Sequence, residues 1–136
     1  MPSRPLSPHL TVYRFMYTMS LSILHRITGL AATAGLLAFV WWLMALATGP
    51  ESYARAMRAL DSPLAKLLLA GFAFSFVYHF CNGIRHLVWD TGRGLERAQA
   101  RRSGAVVVVA ALVLTVLLVW LGCRALGFDA DPGAQP

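Results

Sequence analysis

Charge is what this chain has least of. Its 136 residues include twelve Lys or Arg and six Asp or Glu, or 13% charged, about half the ~25% of an ordinary soluble domain. Cysteine is scarcer still: Cys81 and Cys123 both stand inside apolar runs and read as small packing hydrophobes. There is no Cys-x-x-Cys-His for covalent haem attachment, and no cysteine cluster for an iron–sulfur centre or structural zinc. No glycine-rich nucleotide or flavin fingerprint occurs either, so no catalysis is expected from this chain alone. The net charge of +6 comes almost wholly from arginines placed at the ends of apolar runs. They form no soluble basic patch, and nucleic acid is not an expected partner.

What is present is long apolar sequence. Residues 27–49 and 104–123 contain no charge, and residues 67–84 contain none beyond the titratable His79. Each run reaches or approaches the ~20 residues that cross a bilayer core. A soluble three-helix bundle would need far more polar outer faces. The expectation is an all-α membrane protein with a three-helix transmembrane domain over residues 20–126, its helices at about 22–48, 63–90 and 103–125. The first run is too long and too far from the N-terminus for a signal peptide, and the leading residues lack transit-peptide character. A bacterial inner (plasma) membrane is therefore expected. Arg4, Arg14, Arg26, Arg85, Arg93, Arg97, Arg101 and Arg102 fall on one side, against Arg55, Arg58, Lys66 and Arg124 on the other. By the positive-inside rule the N-terminus is cytoplasmic and the C-terminus periplasmic.

Pro2, Pro5 and Pro8 make residues 1–19 an extended cytoplasmic arm, with Leu10, Val12 and Tyr13 as docking surface. Ser22, His25 and Arg26 follow at helical spacing, a hydroxyl, an imidazole and a guanidinium suited to a carbonyl oxygen or a carboxylate. Trp41 and Trp42 mark the far interface, and Thr48-Gly49-Pro50 stops the helix. Residues 51–61 read as a short amphipathic helix or turn, and Ser62-Pro63 as the cap and first turn of the next helix. The third helix has only Thr115 and Trp120 as polar features and reads as anchoring, with residues 127–136 as a disordered tail.

The stretch Tyr78–Asp90 (YHFCNGIRHLVWD) carries the chemistry. His79 and His86 are seven residues apart, almost two turns, and point the same way about 10 Å apart along the axis. Asn82, Gly83 and Asp90 fall near that face. A polar face at this depth is a functional-site hypothesis by default. Imidazole is a common ligand of haem iron, Gly83 gives a bulky group access to the backbone, and Arg85 and His86 are placed to meet anionic groups at the membrane edge.

Two blocks now carry a resemblance. Arg4-Pro5-Leu6-Ser7-Pro8-His9-Leu10 with Tyr13-Arg14 and Ser22-Ile23-Leu24-His25-Arg26-Ile27-Thr28-Gly29 form one, and Tyr78-His79, then Asn82-Gly83-Ile84-Arg85-His86-Leu87, then Trp89-Asp90 the other. In order and spacing they resemble the cytochrome b subunits of succinate dehydrogenase, mitochondrial-type branch. The resemblance implies half of a heterodimeric haem-binding bundle. The partners would be a second small membrane-anchor subunit, an iron–sulfur subunit and a flavoprotein, all in respiratory complex II. It implies His79 as an axial ligand of haem b, His86, His25 and Arg26 near the propionates, and Ser22 and Arg26 at the ubiquinone-reduction site.

The residues add one constraint. His79 and His86 share a helix face, and the two axial nitrogens of a haem lie about 4 Å apart on opposite faces. His25, nearer the cytoplasmic end, is a poor second ligand. A six-coordinate haem therefore needs a histidine from another chain. Two other readings stay open: a haem-free structural anchor, and a small homodimeric b-type cytochrome sharing one haem between two copies of His79.

Overall fold

Apolar runs fix how many helices cross, while proline, serine and glycine fix where they break. The computed structural model describes residues 16–125. Its elements are α1 (Tyr17–Thr48), α2 (Pro50–Leu60), α3 (Pro63–Asp90) and α4 (Arg97–Ala125), with no strand among the described residues. Helices α1, α3 and α4 are each long and apolar enough to cross a membrane. At 32, 28 and 29 residues and ~1.5 Å per residue, each exceeds a ~30 Å hydrocarbon core, so its ends project. The short amphipathic α2 links α1 to α3.

Gly49, at φ +128°, takes a backbone conformation that side chains resist, which breaks α1 from α2. Ser62 Oγ then accepts the Ala65 amide hydrogen at 3.3 Å, and Pro63 occupies the first turn of α3, where its missing N–H costs nothing. At the other end of α3 the Trp89 indole donates to the Gly94 carbonyl at 3.0 Å and ties down the turn into α4.

Two helix starts differ from the expected ones. Helix α1 begins at Tyr17, not 22, and α4 at Arg97, not 103. In α4, Arg97, Ala98, Gln99 and Ala100 are good helix formers, so that helix continues where hydropathy falls: there hydropathy located the membrane boundary and not the helix boundary. The expected arm up to residue 15 and the expected tail at 127–136 lie outside the described residues.

The helices run alternately up and down, so the N-terminal ends of α1 and α4 share one end of the bundle with the C-terminal end of α3. Their core is small: Leu21, Val77, Tyr78, Val107 and Ala111. Gly104 lets α4 approach so closely that a Cβ there would overlap Leu21. The fully buried Tyr78 donates its hydroxyl to the Leu21 carbonyl at 3.1 Å, pinning α3 to α1. Most other large apolar side chains face outward, Leu37, Leu67 and Val116 at 69% exposure each. Such a surface belongs against lipid or another chain.

Candidate functional site

Near the shared end of α1 and α3, three imidazoles form a column. His25 of α1 stacks on His79 of α3 with ring centroids 4.0 Å apart and planes 10° from parallel. On its other side His25 meets His86 at 5.3 Å and 35°, and His86 in turn sits edge-on to Trp89 at 5.1 Å. The two α3 histidines thus both face α1, with the α1 histidine between them.

The closest polar contact of His79 defines its chemistry. Its Nδ1 lies 3.1 Å from the backbone carbonyl of His25. A carbonyl only accepts, so Nδ1 carries the proton and donates, leaving the in-plane lone pair of Nε2 available to a metal. A backbone carbonyl on the far nitrogen is the usual way a ligating histidine is held in one tautomer. Gly29, one turn along α1 from His25, makes room for the ring: a Cβ there would lie 2.8 Å from His79 Cε1.

His25 cannot complete the ligand set with His79. Lone pairs of imidazole lie in the ring plane, and two stacked rings direct them side by side instead of toward a common point between. Among the described residues no group of three or more His, Cys, Asp or Glu is placed to hold a metal ion. His25 Nδ1 is itself buried without a hydrogen-bond partner, an orphan polar atom within the column.

Ser22 and Arg26 are both exposed and lie about 40° apart around α1. They occupy the side away from the buried Leu21 and Thr28. No carboxylate among the described residues pairs with Arg26. Its guanidinium and the Ser22 hydroxyl therefore remain open to a ligand beside the histidine column. Toward the opposite end of the bundle an apolar groove of about 750 Å³ opens between α1 and α3. Ala31, Gly35, Trp42, Phe72 and Ser75 help line it, and Ser75 and Phe72 precede His79 by one and two turns of α3.

Two residues of the Tyr78–Asp90 stretch do not sit where the sequence placed them. Arg85 does not face outward but is 6% exposed, held inside the chain. It donates from Nε to Ser103 Oγ at 3.0 Å, from Nη1 to Asn82 Oδ1 at 3.2 Å and from Nη2 to the Ala100 carbonyl at 2.8 Å, with its guanidinium 3.9 Å from the centre of the Trp89 ring. Asn82, 1% exposed, joins this clamp and does not extend the histidine face. The cause is α4, which starts early enough to present Ala100 and Ser103 to α3. Gly83 has open space where a Cβ would be. Sequence reasoning missed the roles of Gly29 and Ser103. Gly29 stood inside the first motif, but only the packing of α1 on α3 assigns it a neighbour.

Comparison with known proteins agrees with this architecture. Residues 1–118 match the family of succinate dehydrogenase/fumarate reductase transmembrane subunits. The chain is 43% identical over 115 residues to the succinate dehydrogenase cytochrome b556 subunit of Paracoccus denitrificans, covering 85% of this chain and 88% of that one. It is 42% identical over 115 residues to the cytochrome b556 subunit of Rickettsia prowazekii, with 85% and 90% covered. To the mitochondrial cytochrome b560 subunit of Homo sapiens it is 45% identical over 117 residues, 85% of this chain and 67% of that one. With three membrane-crossing helices, an unpartnered apolar surface and a match over nearly its whole length, the chain belongs to the succinate dehydrogenase/fumarate reductase transmembrane subunit family, as a cytochrome b membrane subunit of succinate dehydrogenase.

Proposed function

We propose that this chain supplies one axial ligand of a haem b, His79 Nε2, together with part of a ubiquinone-reduction site at Ser22 and Arg26. The observation that carries the reading is the 3.1 Å contact of His79 Nδ1 with the His25 carbonyl, which leaves the other ring nitrogen free to ligate. The relatives' cytochrome b names support it, as do the open space at Gly83 and the apolar groove on the His79 side of α3. Any second protein ligand to the haem would come from another chain, since the stacked His25 cannot serve. That chain is the second small membrane subunit of a complex completed by an iron–sulfur subunit and a flavoprotein. The N-terminus faces the cytoplasm of a bacterium, on the side that carries eight of the twelve cationic residues.

The residues divide the work as follows. The His25 carbonyl holds the His79 proton at Nδ1, and Gly29 lets the ring lie against α1. His25 Nδ1, His86 and Arg26 are the polar groups nearest that end, suited to the acidic edge of the macrocycle. When bound, haem supplies a one-electron acceptor within the membrane. At the quinone, the Ser22 hydroxyl donates a hydrogen bond to a carbonyl oxygen. The Arg26 cation stabilises the negative charge that gathers on the quinone oxygens as they are reduced, an effect worth most in a water-poor site.

The test is a dithionite-reduced minus oxidised spectrum of the purified native complex, wild type against His79→Ala. A b-type band in the wild type that disappears in the variant is expected. A band that survives the substitution would move the ligand to another residue, and no band in either protein would favour the haem-free anchor.

A further inference from the structure

A second pocket of about 700 Å³ opens between Tyr17 and Thr18 of α1, Trp89 of α3, and Arg97, Ala100 and Arg101 of α4. It meets the histidine column at Trp89, which His86 touches edge-on, and Thr18 stands one turn before Ser22 on α1. Its cations are different ones: Tyr17 points toward Gly104 of α4, and the rim arginines belong to α4.

The charges around this pocket do not balance. Arg97 and Arg101, one turn apart and exposed, form its rim, where they repel each other. Glu96 precedes Arg97 at the cap of α4 but is exposed and does not line the pocket. The first turn itself holds no acidic residue, and cations at a helix N-terminus oppose its dipole. Behind the wall lies Arg85, bonded to the Ala100 carbonyl and stacked on Trp89, both of them lining residues. The acceptors of Arg85 are all neutral, so its buried charge has no counter-ion among the described residues. No acidic side chain lines the pocket. Two guanidinium groups thus rim one concavity, with a third buried behind its wall, and the complementary component is an anion.

Depth and polarity say which kind. Arg101 stands three residues before the uncharged run 104–123, and Tyr17 and Trp89 are aromatics of the type that settle at headgroup level. Met16 and Leu95 make the rest of the lining apolar. A ligand with a phosphate at one end and an apolar body fits, and the place is the bilayer interface. We propose that this pocket binds an anionic phospholipid, its phosphate between Arg97 and Arg101 and its apolar portion against Met16, Tyr17 and Leu95.

The experiment is mass spectrometry of the lipid retained by the detergent-purified native complex after exchange into bilayers of phosphatidylglycerol and phosphatidylcholine. Wild type, the double variant Arg97→Gln/Arg101→Gln and the single variant Arg102→Gln are compared. Arg102 is exposed but outside the pocket. Each arginine removed from the rim should lower retention of phosphatidylglycerol roughly fivefold, the effect of one cation at an anionic surface. Retention by Arg102→Gln, and succinate oxidation with an artificial dye in all three, should be unchanged. Equal retention in all three proteins would overturn the proposal. So would equal loss in Arg102→Gln, which would mean general surface charge. Dissociation of the water-soluble subunits from the double variant, with lipid retained, would overturn it in favour of an acidic protein surface.

Discussion

Gly29 is the residue on which the position of His79 depends. In an unobstructed helix, Gly→Ala is stabilising by roughly 0.5–1 kcal/mol. At Gly29 the added Cβ would stand 2.8 Å from His79 Cε1 and 3.1 Å from its Nδ1, too close for the ring to stay. The ring has little room to retreat, because His25 stacks on it at 4.0 Å. Gly29→Ala should therefore break the Nδ1 contact with the His25 carbonyl, release the tautomer and shift or broaden the b-type absorption band. Gly122→Ala in α4, where nothing lies within 4 Å, is the control and should leave the band untouched. Reduced minus oxidised spectra and haem content of the two purified complexes make the comparison. An unshifted band and full haem content in Gly29→Ala would show that the contact does not position the ligand.

At the scale of the helices, Arg85 joins α3 to the first turns of α4 and so sets the rotation of the helix that bears His79 and His86. Arg85→Leu would strand Asn82 Oδ1 and remove one donor from Ser103 and from the Ala100 carbonyl. Leaving buried partners unpaired costs about 1–3 kcal/mol, which should appear as a lower thermal midpoint of the purified complex. Arg85→Lys keeps the charge but not the planar fork, and should recover part of that loss. An unchanged midpoint in Arg85→Leu would mean that α3 and α4 are held by Gly104 and the apolar core alone. This clamp also shows where the sequence stops being legible. Three uncharged runs and Ser62-Pro63 are local signals, and they locate membrane crossings and a helix start. His79, Ser22 and Arg26 stand out because motif and spacing single them out. Two of the three partners of Arg85 lie 15 and 18 residues further on, across a turn, and no local rule distinguishes an arginine bonded to a carbonyl and a serine from one that meets lipid. The placement of His25 between His79 and His86 likewise depends on how α1 is rotated against α3, which follows from close approaches such as Tyr78 to Leu21 and Gly104 to Leu21.

The whole molecule is a component, and its exposed apolar surface says so. A core of five buried apolar side chains among the described residues does not make a self-sufficient globule, and the chain belongs to a complex with other subunits. On the proposed reading, chemistry at Ser22 and Arg26 would be the final step of an electron path that begins in other subunits. That order makes the quinone reading separable from everything before it. Arg26 is exposed and makes no ion pair among the described residues, so Arg26→Leu should leave folding and assembly intact. Removing a positioned donor of this kind from a developing oxyanion typically costs on the order of a hundredfold in rate. Succinate-to-ubiquinone activity should fall steeply, while succinate oxidation by a dye that takes electrons upstream should stay at the wild-type rate. Ser22→Ala should fall in the same direction but less far, since it removes a neutral donor and no charge. If both activities drop together, Arg26 supports assembly and not the quinone. If neither drops, the exposed cation is an interfacial arginine held by lipid phosphate, and the quinone site must be built from other subunits.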